Sequence, residues 1–306
     1  MSATVTSGPA TLCLGEALVD LIGEQHVQSF GEVKRFVPHF GGVAANVAVV
    51  AARAGARITL AGGAGRDRWG EWVLARLRAE HVDVSRFALI DGVQTPLAFV
   101  AVDPDGEPSY RIYGEPAETL ALALGERLDE AVCDAAGLFI TSNTLIGATE
   151  RAVTMRAREL ALELRRPVMF DCNLRLHRWS SRADAAASAN ACVPGALLVR
   201  ANRAEAELMT GESDPERAAL ALRKAGAQLV VITLGSGGAI LRGALRADVG
   251  AVPAKVLSTV GAGDALTGTL LARLALSGFY AAAAAAALGE AVAAAAAACE
   301  RWGALD

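Results

Sequence analysis

The part of this sequence with the most chemical content runs from Thr259 through Val-Gly-Ala-Gly to Asp264, where a loop of small residues opens a long apolar run. Glycines at Gly261 and Gly263, with Ala262 between them, let backbone N–H groups converge at a helix N-terminus, where unpaired donors and the helix dipole attract a phosphate. A carboxylate in that first turn, Asp264, would stand beside a transferring phosphoryl group and take the proton of an attacking hydroxyl. The same residues also suit a plain helix cap, with the glycines serving the turn. Near the other end of the chain, Asp20, the pair Gly41-Gly42 and Asn46 offer a carboxylate and an amide around accessible backbone, a set that can hold vicinal hydroxyls. Taken singly they would be a strand end and a helix entry. Asp171-Cys-Asn173-Leu-Arg175, followed by Trp179, brings a cation and an amide to a strand end, where they can meet phosphate or substrate oxygens. Asn202-Arg-Ala-Glu205 reads by itself as a helix start with an acidic first turn.

Elements able to position these residues follow from the pattern of apolar positions. Thr11–Ile22 is apolar almost throughout and reads as one central strand buried on both faces, carrying Asp20 near its end. Residues 41–55 read as a loop, a helix of small apolar residues and a C-cap at Gly55, and Ala56–Gly63 as a strand before an amphipathic helix from Trp69. Thr95–Tyr113 breaks the rhythm, since two β-rich runs flank the turn signal Pro104-Asp105-Gly106 of a hairpin. From Gly137 the alternation resumes, with strands at 137–141, 167–171, 196–200 and 229–235 separated by helical patterns. Ala251–Leu257 is strand-like, and two Ala-rich helices close the chain. This order predicts an α/β fold with a doubly wound, mainly parallel sheet flanked by helices.

Composition excludes several classes. Among 306 residues the formal net charge is −4, which leaves no basic stripe for nucleic acid. Five cysteines, none in C-x-x-C spacing, suggest neither a disulfide framework nor a zinc site and fit a reducing cytoplasm. The first ten residues show no secretory leader, and Ala281–Cys299, interrupted by Gly289 and Glu290, reads as a buried helix rather than a membrane span.

Several of these motifs, in this order, resemble the ribokinase-like (PfkB) family of carbohydrate kinases. The resemblance spans Gly15 to about Arg301. It implies a ribokinase-like fold formed by residues 1–306 as a single domain, with small lid strands inserted at about 22–38 and 94–113. It makes Asp264 the catalytic base, with the amides of Gly261, Ala262 and Gly263 holding the developing phosphate charge. Asp20, Gly41, Gly42, Asn46, Tyr113 and Arg175 become sugar contacts. Asn202, Thr233, Gly235, Gly238 and Gly263 become nucleotide contacts, and Glu205 organises the water shell of Mg2+. ATP and Mg2+ are the implied cofactors, a small sugar is the implied partner, and a homodimer through the lid follows by analogy. Gly62-x-x-Gly65-x-Asp67-x-x-Gly70 matches a further family element that reads as a loop into a helix capped by Asp67.

Two departures stand out. Ser258 occupies a position where the family usually has an Asp belonging to a monovalent-cation site, and Gly114 follows Tyr113 where sugar-acid kinases carry an Arg. Thr141-Ser-Asn-Thr-Leu145 and the hairpin resemble fructokinases, so phosphorylation of fructose is the leading expectation, with the hairpin near Asp105 closing over the sugar. Ketodeoxygluconate, ribose or nucleoside kinases are the alternatives, and a sugar-sensing pseudokinase is the non-enzyme one. A dinucleotide-binding oxidoreductase is disfavoured because no G-x-G-x-x-G occurs, and a Walker-type NTPase because no G-K-S/T occurs.

Overall fold

The computed structural model of the chain describes residues 8–114 and 123–305. Residues 1–7, the greater part of the stretch read above as lacking a leader, lie outside the described residues. In chain order the strands are β1 (Thr11–Leu14), β2 (Leu18–His26), β3 (Val37–Gly41), β4 (Ile58–Gly65), β5 (Phe87–Ile90), β6 (Leu97–Val102) and β7 (Pro108–Tyr113). They continue with β8 (Gly137–Thr141), β9 (Val168–Asp171), β10 (Leu198–Asn202), β11 (Leu229–Thr233), β12 (Ala239–Gly243) and β13 (Arg246–Val249). The helices are α1 (Val43–Arg53), α2 (Arg68–Ala79), α3 (Leu128–Cys133), α4 (Ala148–Glu163), α5 (Arg182–Asn190), α6 (Arg203–Thr210), α7 (Pro215–Lys224), α8 (Ala262–Leu276) and α9 (Ala281–Cys299).

A nine-stranded sheet in the order β13-β12-β11-β10-β9-β8-β1-β4-β5 forms the body, and a four-stranded sheet β3-β2-β6-β7 stands beside it. The large sheet is parallel except where β12 runs against both β11 and β13. Its central strands are buried along their length because helices cover both faces. One face packs on α1, α8 and α9 through Val47, Leu270 and Leu288, the other on the middle helices through Leu138, Phe170 and Leu222. This is the doubly wound sheet expected from the sequence.

Three expectations need correction. Thr11–Ile22 is two strands in two sheets, because the chain turns at Gly15, where a Cβ would stand 2.6 Å from that of Ala44 on α1. Asp20 therefore belongs to the small sheet, which begins at Leu18 and includes β3 as far as Gly41. Ala251–Leu257 is not a strand; the apolar residues just before it form the antiparallel hairpin β12–β13 instead. The helix Ala281–Cys299 is only partly buried: among the described residues it is the one helix long and apolar enough to cross a membrane, and 33% of its apolar window is covered. Ala284, Leu288 and Ala291 pack inward while other alanines face outward, which alanine tolerates because it is only weakly apolar.

Candidate active site

Strands β1 and β8 are neighbours although the chain leaves β1 toward β4 on the other side, so the sheet changes direction between them. Crevices at such points, beyond the carboxyl ends of the strands, are where open α/β sheets bind ligands. Here the crevice holds a tight pocket of 50 Å³, floored by Glu16, Asn46 and Asn143 and roofed by Ala98, Tyr110 and Ile112 of the small sheet. It opens past Asp264 and Arg175 into a cavity of 560 Å³, which continues past Gly263 into a third of 810 Å³.

Asp264 lies in the first turn of α8 and is buried. Gly261 precedes the helix at φ 77°, and a Cβ there would fall 2.3 Å from that of Ala304, so glycine is required twice over. Asn46 Nδ2 donates to Asp264 Oδ2 at 2.8 Å, tying α1 to α8. Burial raises the Asp264 carboxyl to about 6, helped by the charge of Asp171 and opposed by Asn46 and Arg175. A carboxylate so tuned is half-neutral near pH 6 and a competent proton acceptor above it.

Asp20 is also buried, and burial with the charge of Asp264 pushes it to about 7 against the opposing Arg175 and His39. Gly41 does not line the pocket; its role is to leave space, since a Cβ there would meet Asp20 Oδ2 at 2.5 Å. Gly42 does line it, at φ 99°, as the residue preceding α1. Glu16, raised by burial, accepts from the Val43 amide with Oε1 at 3.1 Å. Its Oε2, with Asn46 Oδ1 and Asn143 Oδ1, is buried with no partner among the described residues. Acceptors left unmet in this way are costly unless a ligand brings donors to them.

On the far side of Asp264, Arg175 stacks over the Tyr110 ring at 5.1 Å. Glu205 is buried and closes a capping box with Asn202: Oε2 accepts from the Asn202 amide and Oε1 from the Leu174 amide, each at 2.8 Å. Thr233, Gly235 and Gly238 line the third cavity together with Ala254, Val292 and Ala295. The expected nucleotide contacts thus share one wall.

Similarity to known proteins accords with this layout. The profile of the pfkB family carbohydrate kinases matches residues 10–305. The chain belongs to that family. It is 33% identical to fructokinase-1 of rice (Oryza sativa subsp. japonica) over 85% of this chain and 81% of the relative. The fructokinase of Vibrio cholerae O395, solved with fructose, ADP and calcium ion bound, superposes with a TM-score of 0.83 at 28% identity, over 98% and 96% of the two chains. A fructokinase of Xylella fastidiosa with bound ATP gives a TM-score of 0.81 at 26% identity, over 96% and 93%. This protein is therefore a carbohydrate kinase, a phosphotransferase with a hydroxyl acceptor, and its small sheet is the lid of a ribokinase-like fold.

Three further readings of the kinase site shift in the structure. Tyr113 does not reach the pocket behind Asp264: side chains alternate along β7, so Tyr110 and Ile112 face in while Tyr113, 63% exposed, faces out against Phe99. The hairpin roofs that pocket with its strands, but its tip, expected over the sugar, reaches elsewhere. Asp105 lines the third cavity, and Gly106 O accepts from the Thr259 amide at 2.8 Å. Of the amides expected to converge on a phosphate, that of Ala262 is turned back onto Thr259 O at 3.2 Å, whereas those of Gly261 and Gly263 have no partner among the described residues. Ser258 is buried and accepts from the Val260 amide, so this position shapes the loop.

Sequence reading missed the pair Asp171–Arg200 behind the loop, in which Nη1 donates to Oδ1 at 3.2 Å. It also missed the unmet acceptor of Asn143. A charged residue closing the apolar run Leu197–Arg200 was the available signal for the first; nothing local marks the second.

Proposed function

We propose that this kinase transfers the terminal phosphate of ATP to a primary hydroxyl of a ketohexose, with fructose as substrate and fructose 6-phosphate as product. The observation that carries the reading is the set of unmet acceptors around Asp264: Glu16 Oε2, Asn46 Oδ1 and Asn143 Oδ1 ask for several hydroxyl donors at fixed places, as a small polyol supplies. Asp264 takes the proton of the attacking hydroxyl, and the free amides of Gly261 and Gly263 receive charge developing on the phosphoryl oxygens. The likeness to fructokinases over most of the chain supports the choice of sugar.

The donor set fits a hydrated divalent cation. Each carboxylate oxygen of Glu205 takes one amide and keeps a further lone pair, and the buried Asn173 Oδ1 on the same cavity wall has no partner. Magnesium held through water and nucleotide phosphates needs few direct ligands, and it supplies charge neutralisation along the phosphate chain. We read the whole chain as one domain acting in the cytoplasm on ATP and a small sugar, without nucleic acid or membrane. A homodimer through the lid would cover the outward row of Phe36, Phe99 and Tyr113.

A sugar acid is the second reading, favoured by Arg175 and Arg178, which both line the pocket and can pair with a carboxylate. ADP release with Mg-ATP over fructose, ribose, ketodeoxygluconate, tagatose and nucleosides separates the two. Fructose turnover that collapses in Asp264→Asn supports the first reading, and preference for ketodeoxygluconate the second. Binding of sugar and ATP without ADP release from any of them would mean a pseudokinase.

A further inference from the structure

Gly263, the second glycine of the phosphate loop, has no conformational reason to be glycine. It lies in the first turn of α8 without a positive φ. A Cβ there would be tightly placed, 3.1 Å from both Nη atoms of Arg200. The loop is thus pared down so that a guanidinium can lie against it.

That guanidinium is fixed on several sides. Nη1 donates to Asp171 Oδ1 at 3.2 Å and Nη2 to Thr233 Oγ1 at 2.9 Å, while Thr267 Oγ1 donates to the other oxygen of Asp171 at 2.7 Å. Its Nε is buried and has no partner among the described residues. Although only 7% exposed, Arg200 lines both the cavity beside Asp264 and the large third cavity. A phosphate chain running from one to the other must cross their shared wall, which is made of Glu107, Arg200, Asn202, Thr259 and Gly263. Arg200 is the one cation in that wall among the described residues. A planar, always charged group anchored at one edge is well suited to meet phosphate oxygens at the other, and Asp171 supplies its counter-charge while no nucleotide is bound.

We propose that Arg200 is a further catalytic residue of this kinase, contacting the terminal phosphate of the nucleotide where the cavities join and holding it against the Gly263 amide. The inference rests on the kinase reading above. In the transfer, the bond from the terminal phosphorus to its bridging oxygen breaks and the bond to the sugar oxygen forms. The proton passes to Asp264, and Arg200 exchanges no atom; it neutralises charge on the phosphoryl oxygens.

The test compares the parent chain with Arg200→Met and Arg200→Lys, by ADP release and by calorimetric binding of ATP, AMP and sugar. Arg200→Met should lower turnover about 10²-fold, as loss of one oriented donor does. It should weaken ATP about tenfold and AMP less than about twofold, with sugar affinity unchanged, because only ATP carries the phosphate concerned. Free guanidinium should restore part of its rate, and Arg200→Lys should fall between. Gly263→Ala should slow the parent several-fold yet cost little more in Arg200→Met, a non-additivity expected of groups in contact. A purely structural Arg200 would weaken ATP, AMP and sugar together, with no rescue and additive costs. That result overturns the proposal, as does a folded Arg200→Met with parental turnover. If Arg200→Met fails to fold, Arg200→Lys decides: parental turnover and ATP affinity sink the inference. A parent chain that turns over no sugar, while Arg200→Met still loses ATP but not AMP, would refute the kinase reading and leave the phosphate contact standing.

Discussion

The pocket behind Asp264 and the large cavity beyond Gly263 are made of opposite materials. The first, of 50 Å³, is lined by buried ionisable and amide side chains, several with acceptors unmet among the described residues. The second, of 810 Å³, is walled mainly by glycines, alanines and short aliphatic residues, with Asp105, Glu107 and Arg200 as charged points and Asn202, Thr233, Ser236 and Thr259 as polar ones. A buried acceptor rejects any ligand that lacks the matching donor, because it would then stay unpaired; a smooth wall of small residues only sets a size limit. Discrimination among substrates is therefore concentrated on the side we propose for the sugar. On the side we propose for the nucleotide, room and backbone dominate, and Arg200 is the cation set against the loop.

The sharpest way to break this contrast is at its boundary. Asp264→Asn should lower turnover by about 10³-fold, within the range of general-base catalysis, and leave ATP binding intact by calorimetry; joint loss of ATP affinity would mean that the two regions are one. Next in size, Asp20→Asn should raise the KM for sugar about 10²-fold, the worth of a hydrogen bond to a charged group, with the KM for ATP unchanged. The same substitution has a stability signature. The folded value of Asp20, about 7, lies above its ordinary 3.8, so the folded state holds an extra proton between them. The stability this brings is complete below that window and is lost as pH rises through about 7. Asp20→Asn should hence raise the unfolding temperature at pH 8 relative to the parent more than at pH 4.

Filling the other region tests the converse. Ala295→Leu should raise the KM for ATP roughly tenfold, as overpacking of this kind costs, with sugar affinity steady. Turnover of the parent should fall below about pH 6 as Asp264 takes up its proton, and the limb should vanish in Asp264→Asn. Smallest of all, Tyr113→Ser should leave kcat and sugar KM within about twofold, since that side chain faces away from the pocket. A larger loss would put the outward face of the lid into the reaction.

What could be read from sequence divides along the same line. The loop at Gly261, the cap at Asp67, which accepts from the Gly70 amide, and the Asn202–Glu205 box are local, and their spacing states their geometry. The β6–β7 hairpin was equally plain. The facing of Tyr113 was not, because which side of a strand looks inward depends on its register with partners far away in the chain. Nor could an apolar run disclose that it bends from one sheet to another at Gly15, a break set by the approach of Ala44. Asp171 and Arg200 meet only once β9 and β10 lie side by side.

The edge strand β13 has a consequence for how the molecule behaves in company. Arg246 and Asp248 point outward from it, and Glu216 and Arg242 join them in a lattice of opposite charges that includes Arg242–Asp248 at 2.6 Å and Arg246–Glu216 at 3.3 Å. A second chain laying a strand along this border would have to part those charges and strip their water. The large sheet is thereby guarded against lengthening into a fibril from that end, at high concentration or during refolding, when exposed backbone is most dangerous.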